Sequence, residues 1–100
     1  MAEKVLLDAN GAKNLAYAIK NEVENLFLVL AYESDGKPGI AVMIAENLVT
    51  EKKLNASTIV RELAKEINGS GGGQPFFATA GGKNADGIDK ALQKAKELIF

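Results

Sequence analysis

Asn68-Gly69-Ser70-Gly71-Gly72-Gly73-Gln74-Pro75-Phe76-Phe77-Ala78-Thr79-Ala80-Gly81-Gly82-Lys83 is the stretch on which the reading of the whole sequence turns. Glycines bracket a short apolar run, and no charged side chain interrupts it before Lys83. Glycine loses more backbone freedom on folding than any other residue, so a cluster of them is costly to order. That cost implies positive φ angles or a close approach of the backbone to another group. As secondary structure the stretch reads as a glycine-rich loop over 69–75, a brief strand over Phe76–Ala80 and a second loop at 81–82. A long turn between a helix and a strand accounts for the same composition.

Working back from the glycines, Asn55 is a good cap for a helix whose apolar face is Ala56, Ile59, Val60, Leu63, Ala64 and Ile67. Asn68-Gly69 ends it, with Gly69 expected in the left-handed conformation. Glu46 to Leu54 reads as a short helical turn or an irregular connector. Before it, Leu26–Tyr32 and Ile40–Ala45 are continuously apolar, which suits strands covered on both faces. The polar cluster Glu33–Gly39 joins them into an antiparallel hairpin, with Pro38 in the loop or at the strand start. Val5-Leu6-Leu7 reads as a first strand, followed by a helix capped by Asp8 or Asn10. Ala12, Leu15, Ala16, Ile19, Val23 and Leu26 form its apolar face.

Working forward, strand alternation sends Phe76, Ala78 and Ala80 one way and Phe77 and Thr79 the other. Small side chains at 78 and 80 let a helix come close. Asp86 is the expected cap of a last helix, whose buried stripe is Ile88, Leu92, Ala95, Leu98 and Ile99. The order is β-α-β-β-α-β-α. Interleaved elements with one hairpin predict a single mixed sheet covered by three main helices, an α/β or α+β fold occupying residues 1–100 as one domain. Leu28, Leu30, Val42, Ile44, Leu63 and Leu92 are the expected core.

Composition narrows the chemistry. Apolar residues make up 47% of the 100 residues and charged residues 25%, as in ordinary globular domains. Twelve basic and 13 acidic residues leave a net charge of −1, so nucleic-acid contact would need a local patch. With no cysteine, disulfides and thiolate metal sites are excluded. With no histidine, the commonest general base, metal ligand and nucleophile partner is missing as well. No apolar run reaches the roughly 20 residues that span a bilayer. No secretory leader is read, and a cytoplasmic location is expected. Phosphate loops of the nucleotide-binding kinds run strand, glycines, helix. Here the glycines follow a helix and precede a strand, so neither kind is present.

Gly71-Gly72-Gly73, Gln74, Pro75 and then Ala78-Thr79-Ala80-Gly81-Gly82 together resemble the DHH-associated domain that closes alanyl-tRNA synthetases and the DHH phosphoesterases. The resemblance runs from Val5 to the last helix and is strongest between Ile67 and Lys83. In the synthetases such a domain is thought to contact the outer corner of the tRNA and to help couple aminoacylation with editing. This resemblance therefore implies tRNA(Ala) and the other domains of a parent alanine–tRNA ligase as partners, with a homodimer a further reading and no membrane. It implies no catalytic residues, metal or cofactor here, with ATP, Mg and Zn confined to other parts of the parent enzyme. Gln74 stands where a basic residue is common, so no phosphate contact carries over to it. The phosphoesterases usually carry Gly-Gly-Gly-His, which this chain lacks, and a substrate-binding domain of that class is the alternative.

The candidate nucleic-acid-binding residues are Ser70, Gly71, Gly72, Gly73, Gln74, Phe77, Thr79, Gly81, Gly82 and Lys83. Successive amides near the glycines could form an anion nest. Either phenylalanine could stack on a base, with a core role expected for at least one of them.

Overall fold

A computed structural model describes residues 2–4, 9–22, 26–34, 36–51 and 54–99. Its centre is the hairpin. Phe27–Ser34 (β2) and Lys37–Ile44 (β3) pair antiparallel from Phe27↔Ile44 to Ser34↔Lys37. The pairing runs through to Ser34↔Lys37, and Gly36 in the connection has φ +76°. Tight hairpin turns call for such left-handed angles, which explains a glycine there. The strands are therefore longer and the turn tighter than the polar cluster suggested, because register overrides polarity at Glu33, Ser34 and Lys37. From Pro38 to Ile44 every residue of β3 is buried. Val29, Ala31, Ile40, Val42 and Ile44 face one core cluster, while Leu28, Leu30, Tyr32, Ala41 and Met43 face the other.

The sheet has five strands in the order β1-β2-β3-β5-β4. Ala2–Lys4 (β1) runs parallel to β2. Phe77–Gly81 (β5) pairs antiparallel with β3, and Ser70–Gly73 (β4) pairs antiparallel with β5 at the far edge. The mixed sheet is thus an antiparallel run of four strands with one parallel neighbour. The first strand expected at Val5–Leu7 lies outside the described residues.

Two corrections concern the glycines. Residues 70–73, expected within a loop, form a strand, and Gly81 ends β5 rather than opening a loop. Glycine is a poor strand former in isolation, but here tertiary pairing requires it. A Cβ on Gly71 would come within 2.5 Å of the Ala80 Cα, and one on Gly73 within 2.8 Å of the Ala78 Cα.

Helices cover both faces. Ala9–Glu22 (α1) lays Ala12 and Ala16 on the Leu28/Leu30 side, with Leu15 and Ile19 at the margin. Asn10 lies within this helix and does not cap it; Asp8 and Val23 lie outside the described residues, and Leu26 is buried just before β2. The opposite face takes Ala56–Ala64 (α3) and Ile88–Ile99 (α4) through Val60, Leu63, Ala64, Ile88, Ala91 and Ala95. Ala78 and Ala80 belong to this core and face α3, as their small size anticipated. Glu46–Glu51 (α2) is a short helix with no fully buried residue.

Capping follows the sequence at one helix and departs from it at others. The Asn55 side chain accepts N–H bonds from Ser57 (2.9 Å) and Thr58 (3.3 Å), as expected. After α3 a 3₁₀ turn, Lys65–Ile67, ends with Asn68 in the left-handed conformation (φ 54°, ψ 51°), not Gly69. Asparagine tolerates that conformation, and Gly69 is needed because a side chain there would collide with the Gly81 carbonyl. Asn84, not Asp86, caps the final helical segment: its Oδ1 accepts the Asp86 N–H at 3.2 Å and opens a 3₁₀ turn, Ala85–Gly87, that leads into α4. Five of the six expected core residues are buried. Leu92 is only half-buried, because α4 turns Ala91 and Ala95 inward.

Candidate nucleic-acid interface

Three connections meet at one end of the sheet. The Ile67 carbonyl, presented by the 3₁₀ turn, accepts the N–H groups of Lys83 (3.0 Å) and Asn84 (2.9 Å). The Gly82 N–H donates to the Pro38 carbonyl at 3.0 Å. These bonds draw the end of β5 against the turn after α3 and against the start of β3. Such contact requires bare backbone, since a Cβ on Gly82 would strike Ile67. What results is an open hollow of about 530 Å³ lined by Lys37, Asn68, Gly69, Ser70, Gly81, Gly82 and Lys83.

The hollow holds two lysines and no acidic residue. Both lysines, Asn68 and Ser70 are exposed. Ammonium groups with small polar side chains on a glycine floor suit a phosphate oxygen, the commonest protein contact on nucleic acids. The chain's net charge of −1 therefore conceals a local cationic spot. The expected amide nest is not formed at Gly69, Gln74, Gly82, Lys83 or Asn84. Their N–H groups donate to the carbonyls of Ala64, Phe77, Pro38 and Ile67.

The sequence-derived candidates are not gathered into one place. Ser70, Gly81, Gly82 and Lys83 line the hollow. Gly71, Gly72 and Gly73 run away from it along β4, where the Arg61 Nε donates to the Gly71 carbonyl at 3.4 Å. Gln74 is exposed at the β4–β5 turn, and Thr79 is exposed on β5. Phe77 lies elsewhere, packed at the margin of the α1 side with its ring 5.4 Å from that of Tyr17. Phe76 is also half-buried and has the Lys20 Nζ 5.5 Å above its ring.

Lys37, Asn68 and Arg61 were missed. Lys37 reads as one more polar residue of a turn, and only the adjacency of β3 and β5 brings it to Lys83. Tyr17 left a legible signal, an aromatic standing off the apolar stripe of α1. Among the described residues no group of three or more His, Cys, Asp or Glu could hold a metal ion, and no helix is long and apolar enough to cross a membrane.

Comparison with known proteins gives a consistent result. The profile of the DHHA1 domain family matches residues 2–99. An alanine–tRNA ligase of Cytophaga hutchinsonii is 57% identical over 98 residues, which is 98% of this chain and 11% of that protein. One from Bacteroides thetaiotaomicron is 50% identical over 93 residues, 92% of this chain and 11% of the relative. The chain thus spans about a tenth of the length of these curated relatives. Among solved structures, the C-Ala domain from Aquifex aeolicus alanyl-tRNA synthetase has a TM-score of 0.82 at 23% identity, covering 96% of this chain and 87% of that one. At that identity the likeness is one of fold.

Proposed function

Because the chain belongs to the DHHA1 domain family, we propose that it is the tRNA-contacting C-terminal module of a cytoplasmic alanine–tRNA ligase. The observation that carries this reading is the identity of 57% with such a ligase across 98% of the chain. The hollow flanked by Lys37 and Lys83 supports this reading, since exposed ammonium groups suit a nucleic-acid backbone. The module reads the outer corner of tRNA(Ala) by shape and backbone, as structured RNA is generally read. Aminoacylation with ATP and Mg, and editing with Zn, belong on this reading to other domains, which the module helps to couple through the tRNA. No catalytic role is assigned to any residue here.

The test is a low-salt titration of the domain with transcribed tRNA(Ala) and with an acceptor-stem minihelix lacking the outer corner. The full tRNA is expected to bind and the minihelix to bind much more weakly. Lys37→Ala and Lys83→Ala should each weaken binding and reduce the log–log salt slope by about one phosphate contact. Parent-like binding by both variants would remove the hollow from the interface. Equal affinity for the minihelix would remove the outer corner.

A further inference from the structure

The α1 face of the sheet carries a second feature, remote in chemistry from the hollow. Tyr17 is 37% exposed, the one exposed large hydrophobic among the described residues. Its ring meets Phe77 at 5.4 Å with an interplanar angle of 53°. The Lys20 ammonium lies 5.9 Å from the Tyr17 centroid and 5.5 Å from that of Phe76, so one cation serves two rings. On the same helix, the exposed residues include Asn10, Lys13, Asn14 and Asn21, and Glu22 at its end is the one acidic residue of α1. In a chain with 13 acidic residues, that is a locally cationic, amide-rich helix face.

We propose that Tyr17, with Phe76, Phe77 and Lys20, forms a stacking platform for an RNA base, the Lys20 ammonium meeting the adjoining phosphate. Every base offers a π-face to an aromatic ring, and cationic side chains complete such platforms. A protein partner fits the surface less well. Stable protein interfaces have an apolar core of substantial area, whereas a single exposed aromatic here is ringed by amides and ammonium groups. The platform shares its partner class with the function proposed above but none of the hollow's residues, so the two can fail separately.

The chain has two tyrosines and no tryptophan, and Tyr32 is only 7% exposed. Ring-labelled tyrosine NMR therefore isolates Tyr17 from a buried internal reference. With the 100-residue domain, short single-stranded oligoadenylate should shift the Tyr17 ring signals upfield and leave those of Tyr32 in place, while inorganic polyphosphate should not. Tyr17→Leu should weaken oligoadenylate binding about five- to a hundredfold, the worth of one stacked base, while Tyr17→Phe retains it. Lys20→Met should weaken binding and flatten its salt dependence. Lys37→Ala and Lys83→Ala should leave the Tyr17 shift intact. The platform is overturned if oligoadenylate fails to bind or saturates without moving Tyr17. Tyr17 signals that move with protein concentration alone would overturn it in favour of a second copy of the chain on this face.

Discussion

An alanine at Gly87 would drive its methyl group into the Glu66 carbonyl oxygen, and Gly87 is buried. Backbone cannot withdraw as a flexible side chain can, so Gly87→Ala should lower stability by about 1–3 kcal/mol, the usual range for overpacking. Gly81 is the opposite case, with nothing within 4 Å of its added Cβ although it lines the hollow. Gly81→Ala should melt within about 0.5 kcal/mol of the parent yet weaken tRNA binding. Thermal melts and tRNA titrations on the two variants separate a glycine kept for packing from one kept for access. Gly72, away from the hollow on β4, would also tolerate a Cβ, which would meet only the flexible Arg61 at 3.4 Å and Ser57 at 3.5 Å. Which glycine belongs to which class is invisible in Gly71-Gly72-Gly73 as letters, because the class is set by what lies opposite.

At the scale of elements, α3 binds the structure together. It packs Val60, Leu63 and Ala64 on the sheet, is capped by Asn55, and holds α4 through Lys94, which approaches Glu62 (3.6 Å) and Glu66 (3.8 Å). Leu63→Ala should cost about 2–5 kcal/mol by leaving a cavity, and Asn55→Ala about 1 kcal/mol by freeing the Ser57 and Thr58 amides. Denaturant midpoints measure both, and an unchanged midpoint for Leu63→Ala would contradict the packing described here. Glu62 supplies a pH signature. The Lys65 hydrogen bond and charge, with the Lys94 charge, hold its carboxyl below its ordinary value of 4.5. A depressed carboxyl contributes stability above its unfolded pKa, and that stability is lost as pH falls through the folded one. Melting temperature should therefore fall on acidification below about pH 4.5, and Glu62→Gln should fall less. Solvent screening at this half-exposed site keeps the effect small. If the two proteins lose stability in parallel, the Lys65–Glu62 pair adds nothing.

For the whole molecule, the sheet order has the larger consequences. Placing β5 between β3 and β4 brings Lys37 and Lys83 to one end of the domain. The same order puts α1 on one face and α3 with α4 on the other, so the hollow at the sheet's end and the Tyr17 platform are separate features. A tRNA that used both would respond to each set of changes independently. The Lys83→Ala and Tyr17→Leu losses in tRNA affinity should then add in the double variant, within about 0.5 kcal/mol. Strong non-additivity in a tRNA titration would mean that the two surfaces act as one site.

The sequence by itself determined the hairpin, the two-sided burial of β2 and β3, the α3 cap and the mixed-sheet class. Each of these follows from local pattern: unbroken apolar runs, a short polar connection between two of them, an asparagine ahead of a 3.6-residue stripe. It also excluded cysteine and histidine chemistry outright. The tertiary structure decided that Ser70–Gly73 is a strand, that Asn68 rather than Gly69 turns left-handed, and that Asn84 rather than Asp86 caps the last helical segment. It also decided that Lys37 shares a hollow with Lys83. None of these was legible from neighbours in sequence, because glycine has no intrinsic preference strong enough to declare a strand. A polar residue in a turn declares no partner either. Both acquire their roles from the chain packed against them, and that chain is brought there by the burial of apolar side chains elsewhere in the sheet.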